Sequence, residues 1–233
     1  MLSCRSALAL ALCACLAAGG AAAEVSGSVA VVSDYVFRGI TQTHGKPALQ
    51  GGVTWTHGSG LYAGTWGSSI SWLSDSDPDV SSQVEIDGFV GYSGGFGGSG
   101  VGYDIGANYY WYPGRYPAGY NSPDTLELYL GLSWKALGAR YSYAATDLFG
   151  IPDSDGSSAL EFTAGHEFDG GWSVGAGRGR QWVSGHGGGL DYDYWKLTAG
   201  KSFGSGFAIG LEWHDTGISG ADDTFLISFS RLF

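Results

Sequence analysis

The chain has 233 residues, with 22 acidic against 11 basic side chains (net charge −11), 42 glycines and 15% aromatic residues. The acidic balance excludes nucleic acid and anionic headgroup surfaces as electrostatic partners, because either calls for a basic stripe. Glycine costs a helix about 1 kcal/mol per residue relative to alanine, so this composition excludes a helical protein.

Residues 1–23 read as a secretory signal peptide. Arg5 supplies the positive start, residues 7–16 are apolar, and Ala21-Ala22-Ala23 fits the small-residue cleavage rule before Glu24. Cys4, Cys13 and Cys15 all fall inside it, so the exported part carries neither disulfides nor thiolate metal ligands. A lipoprotein cut at Cys15 is the lesser alternative, since an apolar rather than polar stretch follows it. The remainder, 24–233, is expected to form one domain.

From residue 25 onward the apolar pattern has period two. Twelve segments alternate in this way: 25–40, 49–57, 60–72, 82–92, 100–112, 125–134, 138–147, 158–168, 171–183, 192–203, 206–215 and 222–233. In the first, Val25, Val29, Val31, Tyr35 and Phe37 share one face, and Ser26, Ser28, Asp34 and Arg38 the other. In the sixth, Leu126, Leu128, Leu130, Leu132 and Trp134 oppose Glu127, Tyr129 and Ser133. The last runs from Phe225 to Phe233 with its apolar face broken only by Arg231. Most segments reach the roughly 9–11 residues of a tilted membrane strand, and no run of about 18 apolar residues offers a membrane helix.

The connections alternate between long (41–48, 73–81, 113–124, 148–157, 184–191, 216–221) and short (58–59, 93–99, 135–137, 169–170, 204–205), with 93–99 the weakest link. Aromatic residues such as Trp55, Trp111, Trp134, Phe168, Trp172 and Trp213 gather toward segment ends, as do Tyr35, Phe37 and Trp72. Short turns at one rim, long loops at the other and two aromatic girdles predict an all-β fold. The expectation is an antiparallel transmembrane β-barrel of about twelve strands in a Gram-negative outer membrane.

The opening segment Ser33-Asp34-Tyr35-Val36-Phe37-Arg38-Gly39-Ile40-Thr41-Gln42-Thr43 resembles the first strand of the TorF-type porins. The likeness continues through Pro47-Ala48-Leu49-Gln50-Gly51-Gly52, Gly60-Leu61-Tyr62-Ala63-Gly64-Thr65-Trp66-Gly67-Ser68 and Glu85-Ile86-Asp87-Gly88-Phe89-Val90-Gly91-Tyr92. Beyond residue 92 only strand length and polarity match. The resemblance implies an outer-membrane location and a pore role. It brings no substrate and no catalytic residue.

Strand parity nominates the lumen-facing side chains. The carboxylates are Asp34, Glu85, Asp87, Asp104, Glu127, Glu161, Glu167 and Glu212; the cations are Arg38, Arg140 and Lys196. Arg178 and Arg180 fall on the outward parity, above the lipid band or beside a register-resetting bulge. This acid excess suits an aqueous lumen that admits small cations or neutral solutes. It also suits a charge network plugging a narrow barrel, because twelve strands lie between a filled and an open interior. Asp75, Asp77 and Asp79, like Asp153 and Asp155, alternate as in a calcium loop but lack a distal bidentate glutamate, so a solvated acidic loop is expected.

Two G-x-S-x-G matches (91–95, 200–204) and His186-Gly187-Gly188-Gly189 lack the strand–turn–helix elbow of a hydrolase. His214, with Glu212 and Asp215, is the remaining acid–base candidate, and His44, His57 and His166 suggest no metal. Together these residues predict a porin-like channel for passive diffusion of small hydrophilic solutes, leaning toward cations. A closed barrel acting through its loops and a rim-sited hydrolase are the alternatives. The expected partners are outer-membrane lipid and small solutes or cations, with oligomerisation left open. No cofactor, metal or catalytic residue is expected.

Overall fold

The computed structural model describes residues 23–233, so the expected signal peptide, apart from Ala23, lies outside the described residues. Fourteen strands follow: β1 (Glu24–Val32), β2 (Val36–Phe37), β3 (Ile40–Thr41), β4 (Ala48–Thr56), β5 (Leu61–Ser69), β6 (Val84–Gly95) and β7 (Val101–Trp111). Then come β8 (Thr125–Trp134), β9 (Leu137–Ala144), β10 (Ser158–Phe168), β11 (Trp172–Trp182), β12 (Tyr192–Ser202), β13 (Phe207–Thr216) and β14 (Thr224–Leu232). Twelve of them close into one antiparallel barrel in sequence order, with β1 seated between β14 and β4. Closure satisfies every ladder edge, the condition for a strand to lie in hydrocarbon.

Period two sorts the side chains cleanly. On β8 the residues Leu128, Leu130, Leu132 and Trp134 are exposed outside, whereas Thr125, Glu127 and Tyr129 are buried inside. Leu130 lies opposite Ile105 on one side and Tyr141 on the other, both also exposed, which makes a continuous apolar band. Trp55, Tyr92, Trp134, Phe168, Trp172 and Phe203 ring the short-turn rim, and Trp111 is exposed at the long-loop rim. Inside, glycines clear space for neighbouring rings. A methyl group at Gly91 would collide with Tyr62, and one at Gly106 with Tyr129.

The lipid-facing assignment has a direct consequence. Leu130→Arg, at mid-strand on the outer face, is expected to cost about 2–4 kcal/mol of folding stability, as for an arginine at the bilayer midplane. Urea titration in phospholipid vesicles measures it; an unchanged midpoint would remove Leu130 from the lipid face.

The first strand departs from expectation. β1 ends at Val32, not at residue 40; Ser33 keeps a last backbone bond to Ile227 of β14, and residues 34–47 leave the barrel ladder. Val36–Phe37 pairs with Ile40–Thr41 across a two-residue turn, Arg38-Gly39, with φ of 48° and 80°. Two successive positive φ values are those of a type I′ hairpin turn, whose twist matches its flanking strands. Asp34 fixes the hairpin base by accepting from the Thr41 and Thr43 hydroxyls at 2.6 and 2.7 Å. The alternation misled because an extended hairpin shows the same period as the strand before it.

Smaller boundaries also moved, among them the end of the segment expected over 138–147, where β9 stops at Ala144. The segment expected over 60–72 ends at Ser69, and Trp72–Ser76 forms a short helix, α1. The weak link at 93–99 is tighter than expected because β6 runs on to Gly95 and β7 starts at Val101.

Candidate functional site: an occluded lumen

The hairpin β2–β3 folds into the barrel beneath the long loops. Its Tyr35 hydroxyl donates to Glu85 on β6 at 2.9 Å, and the Tyr35 ring meets Trp66 edge-on at 5.4 Å. Phe37 packs edge-on against Tyr110 and Phe149, at 5.8 and 5.7 Å. Leu73 of α1, 1% exposed, and Val80 join Val32, Ile70, Tyr110 and Tyr112 in the same apolar cluster. The long-loop mouth therefore holds a small hydrophobic core.

Arg38 occupies the hairpin tip and reaches the far walls. Its Nη1 donates to Glu127 Oε1 at 2.7 Å and to Gln181 Oε1 at 2.9 Å, while Nη2 donates to Glu127 Oε2 at 2.8 Å. Tyr110 donates to the same Oε2 at 3.2 Å. This bidentate fork is the strong geometry for a guanidinium and a carboxylate. Glu127 is 3% exposed and Gln181 2%. Gly39 is required beside it, because a Cβ there would lie 2.8 Å from Tyr194 Cβ and 3.2 Å from the Asp215 carbonyl.

Below this latch runs a polar belt. Tyr62 donates to Asp104 at 2.5 Å and is also hydrogen-bonded to the Tyr129 hydroxyl. Arg140 stacks 3.7 Å above the Tyr129 ring and lies opposite Glu161 in the ladder. Lys196 crosses Gly177, which has no side chain to obstruct it, and donates to Glu161 at 3.1 Å. Glu212 and His214 pair at 2.9 Å, and Asp215 takes the opposite, outward parity. Four buried lumenal atoms have no protein partner: one oxygen each of Asp87 and Asp104, and the hydroxyls of Ser228 and Ser230. The other Asp87 oxygen accepts from Asn108 at 3.3 Å.

Every residue nominated by parity can now be placed. Glu85, Asp87, Asp104, Glu127, Arg140, Glu161, Lys196 and Glu212 project inward from the wall, and Glu167 shares that parity at the exposed short-turn rim. Asp34 and Arg38 are inside too, but on the hairpin rather than a barrel strand. Arg178 and Arg180 remain outward, pairing with Asp193 at 3.9 and 3.2 Å, and β10–β11 keeps unbroken register, so no bulge intervenes. Tyr35, Phe37 and Trp72 leave the expected girdle for the plug.

Gln181, Tyr110, Tyr62 and Asn108 carry no charge to mark them as lumenal in the sequence. The same alternation places them inside. Ser93 and Ser202 both lie on strands, so neither sits at a nucleophile elbow. Among the described residues no three His, Cys, Asp or Glu side chains are grouped to hold a metal ion.

Two of the loop carboxylates, Asp75 and Asp147, serve local structure. Asp75 accepts from Ser71, with Lys46 and His44 nearby, and these hold its carboxyl below the usual range. Asp147 is likewise held low, first by the Asn121 amide and then by the Ser154 N–H. A depressed folded value means that the contribution is present above the ordinary carboxylate range and lost as pH falls through it. Amide protection at Ser154 and Asp155 should therefore persist from pH 7 to below about 4, then collapse. Asp147→Ala should abolish it at pH 7; hydrogen exchange that is unaltered in this variant would refute the assignment.

A closed twelve-strand barrel with an apolar exterior, aromatic girdles and a charged interior is an outer-membrane barrel of the porin type. The chain belongs to the family described as "Bacterial protein of unknown function (Gcw_chp)", whose model matches residues 17–228. Of the expectation raised by the opening motif, the porin-type barrel is shown; the TorF-type name is not the one the matching family carries. No curated protein matches the chain.

Solved structures similar to it include the KdgM porin, with a TM-score of 0.57 at 9% identity over 89% of this chain and 99% of that one. The NanC porin gives 0.54 at 11% identity over 90% and 98%. An outer membrane channel from Pseudomonas putida F1 gives 0.50 at 13% over 93% and 97%. At such identities the likeness is one of fold. The fold is that of bacterial outer-membrane barrels, with long loops at one rim and short turns at the other.

Proposed function

We propose that the protein is a porin-like channel for small hydrophilic solutes, with a preference for cations, whose extracellular mouth is shut by the 34–47 hairpin. One observation carries this reading. Beneath the hairpin the wall carries Asp104, Arg140, Glu161, Lys196 and Glu212, and the Glu161, Lys196 and Glu212 side chains keep 26, 22 and 20% exposure. Charged side chains that stay part-exposed inside a closed barrel face water, because a packed interior would leave them unsolvated at a large cost.

Carboxylates outnumber cations along this wall, and Arg38 cancels only Glu127. The negative potential would draw cations and repel anions. The KdgM porin has been solved in complex with disordered oligogalacturonate, an anionic sugar chain. The acid excess here argues against such a cargo. Planar-bilayer recording under a potassium chloride gradient tests the preference. In the barrel with residues 34–47 replaced by a glycine–serine turn, a reversal potential on the cation side is expected, and adding Glu161→Gln with Glu212→Gln should reduce it; anion selectivity would overturn it.

A second reading has its own support. The apolar cluster around Leu73 and Tyr35 is packed like a permanent core, as a closed barrel acting through its loops would need. Absence of conductance in every variant with the hairpin removed would favour it.

A further inference from the structure

The groups that hold the Arg38 guanidinium are positioned without it. Gln181 donates through Nε2 to the carbonyls of Ser158 and Trp182, at 3.0 and 3.1 Å, which turns its Oε1 into the lumen. Tyr110 donates to Glu127 Oε2 and steadies the carboxylate from the wall. Three acceptor atoms on β8 and β11 thus form a rigid, preorganised cradle, and what sits in it is a guanidinium from a residue 89 and 143 positions away in sequence. A preorganised cradle binds the same chemistry from solution, because it is spared the cost of ordering.

We propose that the Glu127–Gln181 cradle is a lumenal binding site for guanidinium-bearing solutes, and that Arg38 is its tethered occupant. This rests on the channel reading, since such a solute reaches the cradle only along the lumen. Selectivity follows from shape. A planar fork satisfies both Glu127 oxygens and the Gln181 carbonyl at once, whereas a compact ammonium engages them as a point charge. The tethered occupant and a free one exclude each other, so a guanidinium solute enters when the hairpin leaves.

The experiment uses Arg38→Ala barrel refolded in detergent and titrated with methylguanidinium at constant ionic strength, reading the heat-unfolding midpoint. A saturable rise is expected. Methylammonium should need a concentration at least about tenfold higher, as should methylguanidinium on Arg38→Ala/Glu127→Gln, in line with loss of a charge-assisted hydrogen bond. The wild type, its cradle filled, should show no saturable rise. Equal responses to the two cations, or a response surviving Glu127→Gln, would overturn the site. If Arg38→Ala does not refold, the barrel with residues 34–47 replaced by a glycine–serine turn empties the same cradle and gives the same comparison.

Conductance of the same variant separates the two claims. An Arg38→Ala barrel that conducts but ignores methylguanidinium defeats the site and spares the channel. One that binds methylguanidinium but never conducts defeats the channel alone.

Discussion

Replacing residues 34–47 by a short glycine–serine turn should raise single-channel conductance by about tenfold or more, because twelve strands enclose more space than the roughly eight that side chains fill. The replacement leaves the barrel intact. Val32 still pairs with Ala48, and Ser33 keeps its backbone and hydroxyl bonds to Ile227 on β14. What it removes is Tyr35, Phe37 and Arg38, the side chains that bridge the lumen from β6 to β11. Planar-bilayer recording reads the result. Conductance no larger than wild type would mean that the belt of Tyr62, Asp104 and Tyr129 seals the barrel by itself.

The second large effect is energetic. Arg38→Ala leaves Glu127 charged and buried, and Glu127→Ala leaves Arg38 in the same state; each should cost about 3 kcal/mol, near the lower bound for breaking a buried ion pair. The lower end applies because the Arg38 side chain keeps 10% exposure. Replacing both together, as Arg38→Met/Glu127→Leu, should recover most of that loss, since no uncompensated charge remains. The midpoint of the shift from folded to unfolded migration on detergent gels measures all three. Strictly additive losses would show that Arg38 and Glu127 do not act as a pair.

Most of the barrel could be read from residue order. Thr125–Trp134 and Ser158–Phe168 have the bounds that alternation gave them, because both are wall strands with a lipid face and a lumen face. The alternation of long and short connections likewise holds throughout. The candidate site was legible only in part. Inward charges followed from parity, but the neutral partners that organise them, Gln181 and Tyr110 above all, carried no charge to mark them. Arg38 was nominated for the right compartment from the wrong element, since its side chain enters the lumen from a hairpin.

What the sequence determined by itself is the wall: strand number, lipid face, lumen face and the two rims. These depend on neighbours two residues apart and on the length of each connection, and both are local. What only the tertiary structure decided is that residues 34–47 turn inward and shut the mouth. An extended segment has the same period whether it climbs the wall or doubles back. The choice between those paths is made by Glu85, Glu127 and Gln181, which lie 50, 89 and 143 positions from their hairpin partners and which only the closed barrel brings beside it.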